Sequence, residues 1–249
     1  MRSKRSKGTT LIEAVLSAAL LLLVCLCGLE AFGAARRAFV GLKSSQEEDL
    51  AAAVALESLR RDAARAGEGL SLLVELGLCE AVEAAPAGVV IRRAGDVALL
   101  AGDVVAGQTR IEIAEAGSAG AGFEPGRQVC LTAEDRAEIG TVAAAGPGWI
   151  VLGQGAEHSY GVADGRVFAV ESVTNWLDRP ARVLRRRVNG GSGQPLLENA
   201  AAFEAVWEPG GPIVRFTVRL DSKKEKTYEA CVVPKNLVLA PRPGEPADE

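Results

Sequence analysis

Histidine, aromatic residues and paired cysteines are scarce in this chain, and their scarcity excludes several kinds of site. Only one histidine is present, and aromatic residues make up 4% of the sequence. No Cys-x-x-Cys pair occurs, so few ligands remain for a zinc site. We therefore expect neither a metal nor a cofactor. The histidine, His158, is accompanied by no Gly-x-Ser-x-Gly elbow, and we interpret it as a surface or turn residue rather than a catalytic base.

Other motifs that carry chemistry are equally incomplete. The run Gly190-Gly191-Ser192-Gly193 lacks the Lys-Ser/Thr ending of a phosphate loop and is typical of a flexible turn. Four aspartates, Asp96, Asp103, Asp135 and Asp164, are too scattered for a calcium loop. We interpret the three tryptophans as core or sheet-face residues rather than a ligand platform. These absences predict no catalytic residues and a protein that is not an enzyme.

The charge balance argues against broad affinity for nucleic acid. The formal net charge is −4, whereas such affinity needs lysine and arginine to replace counterions. One basic cluster stands out, Arg182, Arg185, Arg186 and Arg187. It could bind an anion or form the solvated face of a strand, and the sequence leaves both readings open.

Proline is absent from Thr9 to about Ala66, where good helix formers dominate. The run from Leu11 to Leu29 holds a single charged residue, Glu13, and has about the length needed to span hydrocarbon. We predict a transmembrane part over residues 9–30. An ionised carboxylate is costly in hydrocarbon, so Glu13 is a candidate functional residue.

Beyond the membrane segment the helix becomes amphipathic over residues 31–66. Two neighbouring apolar stripes follow a period near 3.6, and charged residues occupy the other face. Gly67 and Gly69 are the predicted stop. The stripes comprise Phe32, Phe39, Leu42, Leu50 and Val54 in one, and Leu56, Leu59 and Ala63 in the other.

From residue 70 to about 240 the pattern changes to short apolar or alternating runs bounded by Gly, Pro, Asp and Asn. No alternation of strands and helices is evident. The fold class is therefore predicted as α+β, with the long helix packed against a mainly antiparallel β-rich head. Residues 241–249 are rich in proline and acid, and we expect a disordered tail. The predicted strands are Gly88–Arg93, Thr109–Ala114, Arg127–Ala133, Trp149–Leu152, Arg166–Trp176, Arg182–Val188, Ile213–Leu220 and Thr227–Val233.

The N-terminus carries the most specific motif, a basic leader ending in Lys7-Gly8-Thr9-Thr10-Leu11-Ile12-Glu13. This arrangement resembles the type III signal of type IV pilins and pseudopilins. The resemblance implies a leader of residues 1–8, cleavage by a prepilin peptidase between Gly8 and Thr9, and N-methylation of Thr9. It also makes Glu13 the family glutamate at the fifth mature position. Family members usually begin their mature chain with Phe, whereas this chain would begin with Thr.

Later segments resemble PilW-type minor pilins. They include Arg60–Gly67 at the helix end, the pair Gly126–Leu131 and Ala137–Val142, and Phe203–Trp207. The resemblance implies a minor pilin of the type IVa pilus, in a priming complex at the base or tip. Implied partners are other minor pilins, the major pilin, a PilY-type tip protein, the prepilin peptidase and inner-membrane lipid. In that setting Glu13 would pair with the Thr9 amine of a neighbouring subunit; pairing with its own Thr9, or protonation, are the alternatives.

The implied location is the bacterial inner membrane, with the N-terminus cytoplasmic and the head periplasmic, followed by the pilus. Removing the four positive leader charges would lower the net charge from −4 to about −8. This disfavours a DNA-uptake receptor. A GspJ-type pseudopilin of type II secretion and a membrane-anchored periplasmic enzyme remain rivals. An ordinary secretory signal cut near Ala34 or Ala35 is the competing reading of the N-terminus.

Three of the five cysteines fall in the part that would be exported, where a disulfide can persist. Cys79 follows the helix end and Cys130 lies in a predicted central strand. We therefore predict a Cys79–Cys130 disulfide and a free Cys231. Spacing does not fix connectivity, so Cys79–Cys231 and Cys130–Cys231 stay open.

Overall fold

A computed structural model describes residues 11–85, 88–114, 122–208, 213–221 and 225–237. Its first element is a single long helix, α1 (Leu11–Ala64). The chain divides into two compact units, the first ending at Ala51 and the second beginning at Ala52. The last turns of α1 therefore belong to the same unit as the strands.

Two glycines with left-handed backbone dihedrals end the helix. Gly67 has φ 73° and Gly69 has φ 71°, values that disfavour any other residue. The Gly67 N–H donates to the carbonyl of Arg92 over 2.9 Å, which joins the helix end to the sheet. The predicted stop is confirmed, although the helix proper ends at Ala64 rather than Ala66. A one-turn helix follows, α2 (Ser71–Glu75).

The head consists of β-strands, and a single turn of 3₁₀ helix, Lys235–Leu237, follows the last of them. The strands of the described residues are β1 (Val82–Ala85), β2 (Gly88–Leu99), β3 (Arg110–Glu112), β4 (Gln128–Thr132), β5 (Ala137–Gly146), β6 (Trp149–Leu152), β7 (Arg166–Asp178), β8 (Val183–Val188), β9 (Gln194–Leu197), β10 (Ala200–Trp207), β11 (Val214–Leu220) and β12 (Lys226–Val232).

The larger sheet has nine strands, in the order β1-β2-β7-β4-β5-β6-β3, with β8 pairing β7 and β9 pairing β8. Strand β7 organises it. One edge of β7 pairs with β2, and the other pairs first with β4 and then with β8.

The smaller sheet has three strands, β10-β11-β12. Every strand pairing among the described residues is antiparallel. The predicted α+β class with a long helix and an antiparallel head is confirmed.

The main hydrophobic core forms between the end of α1 and both sheets. Ala52, Ala55 and Leu59 of α1 are fully buried, against Phe216 and Val218 of β11. Small alanines on the helix allow the strands to approach closely, and burial of the larger side chains supplies the driving force. The helix end is therefore a structural part of the head.

A second core lies at the far end of β7, away from the α1 contacts. It gathers the end of β2 and strands β3 to β6 around Ile111, Ile150, Val167 and Tyr160. A small third cluster links Leu70 and Leu73 of α2 to the sheet. The head is thus built in two parts that share the long strand β7, one packed on the helix and one not.

Each of the eight predicted strand segments is a strand. The bounds agree within two residues, except that β2 continues six residues beyond the predicted end at Arg93, to Leu99. The sequence pattern missed β1 and β9. Strands β5 and β10 were indicated only by resemblance, and the implied pairing of β4 with β5 is present. The predicted tail at 241–249 lies outside the described residues.

Candidate functional site

The N-terminal part of α1 presents an uninterrupted apolar surface. Its large side chains are exposed, from Leu11 at 86% and Leu16 at 62% to Leu29 at 68%. The helix is long and apolar enough to cross a membrane. A surface of this size is unfavourable in water, so lipid or protein must cover it. The predicted membrane-spanning helix is thereby confirmed in its length and composition.

Glu13 lies in the first turn of α1, on this exposed surface. Its backbone carbonyl accepts a hydrogen bond from Ser17 Oγ over 2.7 Å, one helical turn further on. A carboxylate in the first turn also faces the positive end of the helix dipole, which stabilises negative charge. Gly8 and Thr9, the predicted cleavage and methylation residues, lie outside the described residues.

Further along α1 the two predicted apolar stripes have different environments. Leu56, Leu59 and Ala63 are buried in the main core. By contrast, Phe39 is 67% exposed and Leu50 is also 67% exposed. The exposed stripe has the same apolar composition as the buried one, but none of the described residues covers it. It continues the apolar surface of the membrane segment in the direction of the head.

An ion pair ties the end of α1 to the larger sheet. Asp62 is buried, and Arg186 of β8 donates to both of its carboxylate oxygens, from Nε over 2.7 Å and from Nη2 over 2.8 Å. This bidentate geometry suits a guanidinium better than an ammonium group. The Asp62 carboxylate raises the pKa of Arg186 further above its ordinary value. The pair joins the last turns of the helix to β8.

A buried amide lies beside that ion pair. Asn175 of β7 stands opposite Arg186 in the strand register, which puts both side chains on one face of the sheet. Asn175 is fully buried, and neither its Oδ1 nor its Nδ2 has a hydrogen-bond partner among the described residues. Nothing in the sequence pattern distinguished this residue.

The basic cluster noted in the sequence is neither an open anion site nor a purely solvated face. Each arginine has an internal partner: Arg182 pairs with Asp221, Arg185 with Asp178, Arg186 with Asp62, and Arg187 lies over the Trp176 ring. The Arg185 hydrogen bond holds the pKa of Asp178 below its usual range. Of these contacts, only that of Arg186 joins the sheet to the helix; Arg185 and Arg187 contact β7 residues, and Arg182 contacts the residue that follows β11.

The predicted cysteine pair lies in one hydrophobic cluster. Cys130 is fully buried in β4, and Cys79 packs partly buried against the same group. Both are free thiols in the structure, as is the exposed Cys231. Burial, reinforced by the neighbouring Cys79 thiol, raises the pKa of Cys130 to about 12. Burial also raises the pKa of Cys79, against an opposing effect of Arg92. The disulfide stays a prediction.

His158 is exposed in the loop after β6, as expected for a turn residue. The sequence did not indicate which residues lie near His158. A buried glutamate of β5, Glu138, and the adjacent Glu157 come close to it. The separation along the chain hides this grouping, because Glu138 reaches the loop only through the strand pairing of the second part of the head.

Comparisons with known proteins do not assign the chain. No family model and no curated protein matches it. Among solved structures, part of the chain is similar to the Gp54 tailspike of Acinetobacter baumannii bacteriophage AP22, solved in complex with a capsular saccharide of that bacterium. The likeness covers 31% of this chain and 14% of the tailspike, at 15% identity and a TM-score of 0.28. A similarity of that extent carries no argument about fold or function.

Proposed function

We propose that this protein is a type IV pilin-like subunit, a PilW-like minor pilin that takes part in a priming or tip complex. The observation that carries the proposal is the form of α1. Its first part bears an exposed apolar surface with Glu13 in the first turn, and its last turns are built into a β-rich head. Such a helix can remain packed with other helices while the head stays folded.

The apolar surface would serve two environments in turn. In the membrane, lipid would cover the side chains from Leu11 to Leu29; in a filament, helices of neighbouring subunits would replace the lipid. The exposed stripe containing Phe39 and Leu50 lies beyond the membrane length, so neighbouring subunits would cover it only in the assembled state. This explains why the helix keeps apolar side chains that its own head does not bury.

Glu13 would set the axial position of the subunit relative to its neighbours in the filament. In a water-free helix bundle, an ionised carboxylate is stable only with a counter-charge. The amine of Thr9 on a neighbouring subunit would provide it, because removal of residues 1–8 creates that amine beside the start of α1. A buried pair of this kind contributes little net stability but is costly to break from one side. It therefore favours one axial position of a subunit over others.

The orientation follows from the leader. Four basic residues precede Gly8, and positive charge is retained on the cytoplasmic side. The N-terminus would thus face the cytoplasm, and the head would lie in the periplasm of a bacterial inner membrane. The prepilin peptidase, other minor pilins, the major pilin and a PilY-type tip protein are the proposed partners.

The experiment is substitution of Glu13 by Ala in the native strain, with Glu30→Ala as the matched control on the same helix. We expect Glu13→Ala to leave insertion, leader cleavage and head folding intact but to retain the protein in the inner membrane. Pilus number should fall toward that of a deletion strain, whereas Glu30→Ala should assemble normally. Sheared-filament blots and motility assays report both. Normal piliation with the Glu13→Ala protein present in filaments would contradict a docking role.

The deletion strain also separates the two pilin-like functions. Loss of pili with intact protein secretion is expected for the minor pilin. Loss of secretion with intact pili would instead assign the protein to type II secretion, as a GspJ-type pseudopilin.

A further inference from the structure

The second part of the head holds a cluster of three ligating side chains. Glu138 belongs to β5, while Glu157 and His158 are consecutive in the loop that joins β6 to β7. One carboxylate oxygen from each glutamate and one imidazole nitrogen lie within 4.8 Å of one another. A single ion of ordinary size could contact all three atoms after small side-chain movements.

The buried glutamate is held in place by the loop. Glu138 Oε2 accepts hydrogen bonds from the backbone N–H of Glu157 over 2.6 Å and of His158 over 3.2 Å. Glu138 itself is only 5% exposed. The two bonds keep its carboxylate next to the other two ligands before any ion is present, as the outer hydrogen bonds of metal ligands commonly do.

The second oxygen of the same carboxylate has no such support. Glu138 Oε1 is buried, and no hydrogen-bond partner for it exists among the described residues. A buried carboxylate oxygen without a partner is strongly unfavourable, because nothing replaces the water it has lost. Glu138 Oε1 is therefore free to bind an ion.

A further unpaired group lies close by. The hydroxyl of Tyr160 is buried and also lacks a partner among the described residues. Tyr160 stands two residues after His158, in the same loop. Buried polar groups normally have a partner, so the hydroxyl of Tyr160 and Glu138 Oε1 both favour a polar species bound at this loop.

We propose that Glu138, Glu157 and His158 bind a divalent transition-metal ion, with Zn²⁺ as the best match. One imidazole and two carboxylates suit Zn²⁺, which takes nitrogen and oxygen ligands in a four-coordinate arrangement. Ca²⁺ requires six to eight oxygen ligands and does not favour imidazole. Three protein ligands leave one position for water. The proposal differs from the expectation from the sequence, which counted too few ligands for a metal because it did not bring the two glutamates to the histidine.

The ion has a structural role in the head. It joins the loop after β6 to the start of β5, and so cross-links two separated segments beside the second hydrophobic core. A metal held by groups from separated parts of the chain stabilises the folded state, since the unfolded chain cannot assemble the site. The proposal is independent of the pilin assignment, because it concerns only residues of the head.

The test is isothermal titration calorimetry of the full chain in detergent, carried without a polyhistidine tag and stripped with a chelator. A Cys231→Ser background removes the exposed thiol of the head from the titration. Zn²⁺ should bind at one saturable site and raise the melting temperature by several degrees. Ca²⁺ should do neither at the same concentration.

Three variants decide whether the cluster is the site. Glu138→Gln and His158→Gln should each weaken Zn²⁺ binding at least tenfold and abolish the thermal shift. Glu134→Gln, an exposed carboxylate before β5, should bind as the parent does. Because His158 is exposed, its substitution leaves the fold intact even where Glu138→Gln perturbs it. Absence of saturable Zn²⁺ binding, or unchanged affinity in His158→Gln, overturns the proposal.

Discussion

Arg186 of β8 donates two hydrogen bonds to the carboxylate of Asp62, although the two residues stand 124 positions apart in the chain. The pair lies where the last turns of α1 enter the head, beside the main core. The pair therefore joins the last turns of α1 to the larger sheet within the compact unit that begins at Ala52.

Substituting Asp62 by Asn should destabilise the head by about 2 to 3 kcal/mol, since it leaves the Arg186 guanidinium without its counter-charge. Arg186 retains 26% side-chain exposure, which keeps the loss below that of a fully buried pair. Urea unfolding followed by tryptophan fluorescence measures it. The matched control is Asp221→Asn, which breaks the exposed pair with Arg182 and should lower stability by less than about 1 kcal/mol. If both substitutions lowered the free energy of unfolding equally, the Asp62–Arg186 pair would stabilise the protein no more than an exposed ion pair does.

Asn175 should be replaceable with a gain in stability. Neither of its side-chain polar atoms has a partner among the described residues, and a strand position favours a β-branched apolar residue. We expect Asn175→Val to raise the free energy of unfolding by about 1 to 2 kcal/mol. Asn189→Val should act in the opposite direction, because Asn189 has φ 53° and its Oδ1 accepts the Ser172 N–H. A destabilised Asn175→Val protein would indicate that the amide has a bound partner.

The end of α1 should be sensitive to a methyl group at Gly69. A Cβ there would lie 2.7 Å from Ala94 Cβ, in addition to the strain of φ +71°. Gly69→Ala should therefore lower the melting temperature clearly. Gly77 has a similar φ of +68° but open space around it, so Gly77→Ala isolates the backbone strain. That control should lose only about 1 kcal/mol, the ordinary penalty of the left-handed region. A Gly69→Ala effect no larger than the control would contradict the predicted clash.

The thiols of the head should react in an order set by exposure and pKa. In reduced protein Cys231 is exposed and should be alkylated first, while Cys130 should react only on unfolding. Burial raises the pKa of Cys130 to about 12, so the reactive thiolate is a very small fraction at pH 8 and increases about tenfold with each pH unit. Peptide mass spectrometry after timed alkylation measures the order.

In protein isolated from the cell envelope without reductant, we expect the Cys79–Cys130 disulfide and a free Cys231. Both thiols already share one hydrophobic cluster. Non-reducing peptide mapping decides it. Recovery of Cys79 and Cys130 as thiols, or a link from either to Cys231, would contradict the prediction.

The sequence predicted those parts of the fold that depend on local pattern. A long stretch without proline that ends at Gly67 and Gly69 specifies α1 directly, and runs of alternating apolar residues specify the longer strands. Strand β9 was missed because Gln194–Leu197 is short and contains proline. Pairing with β8 stabilises β9 as a strand, although its own sequence does not indicate one.

Local sequence patterns could not predict contacts between residues that lie far apart along the chain. Asp62 looked like one charge among several on a helix face, and Arg186 like one arginine in a basic run. Likewise Glu138 lies in a segment where the pattern predicted no strand, and the single histidine argued against a metal. The packing of α1 against β8 brings Asp62 to Arg186, and the loop after β6 folds against the start of β5. No local motif of a single sequence encodes these contacts.

The most direct measurement is mass spectrometry of the N-terminal peptide of the protein extracted from native membranes. The account predicts a chain that begins with N-methyl-threonine at Thr9, after removal of residues 1–8. A chain that begins near Ala34 or Ala35 would have lost the apolar segment of α1 and Glu13 with it. That result would contradict the assignment to the pilin-like family.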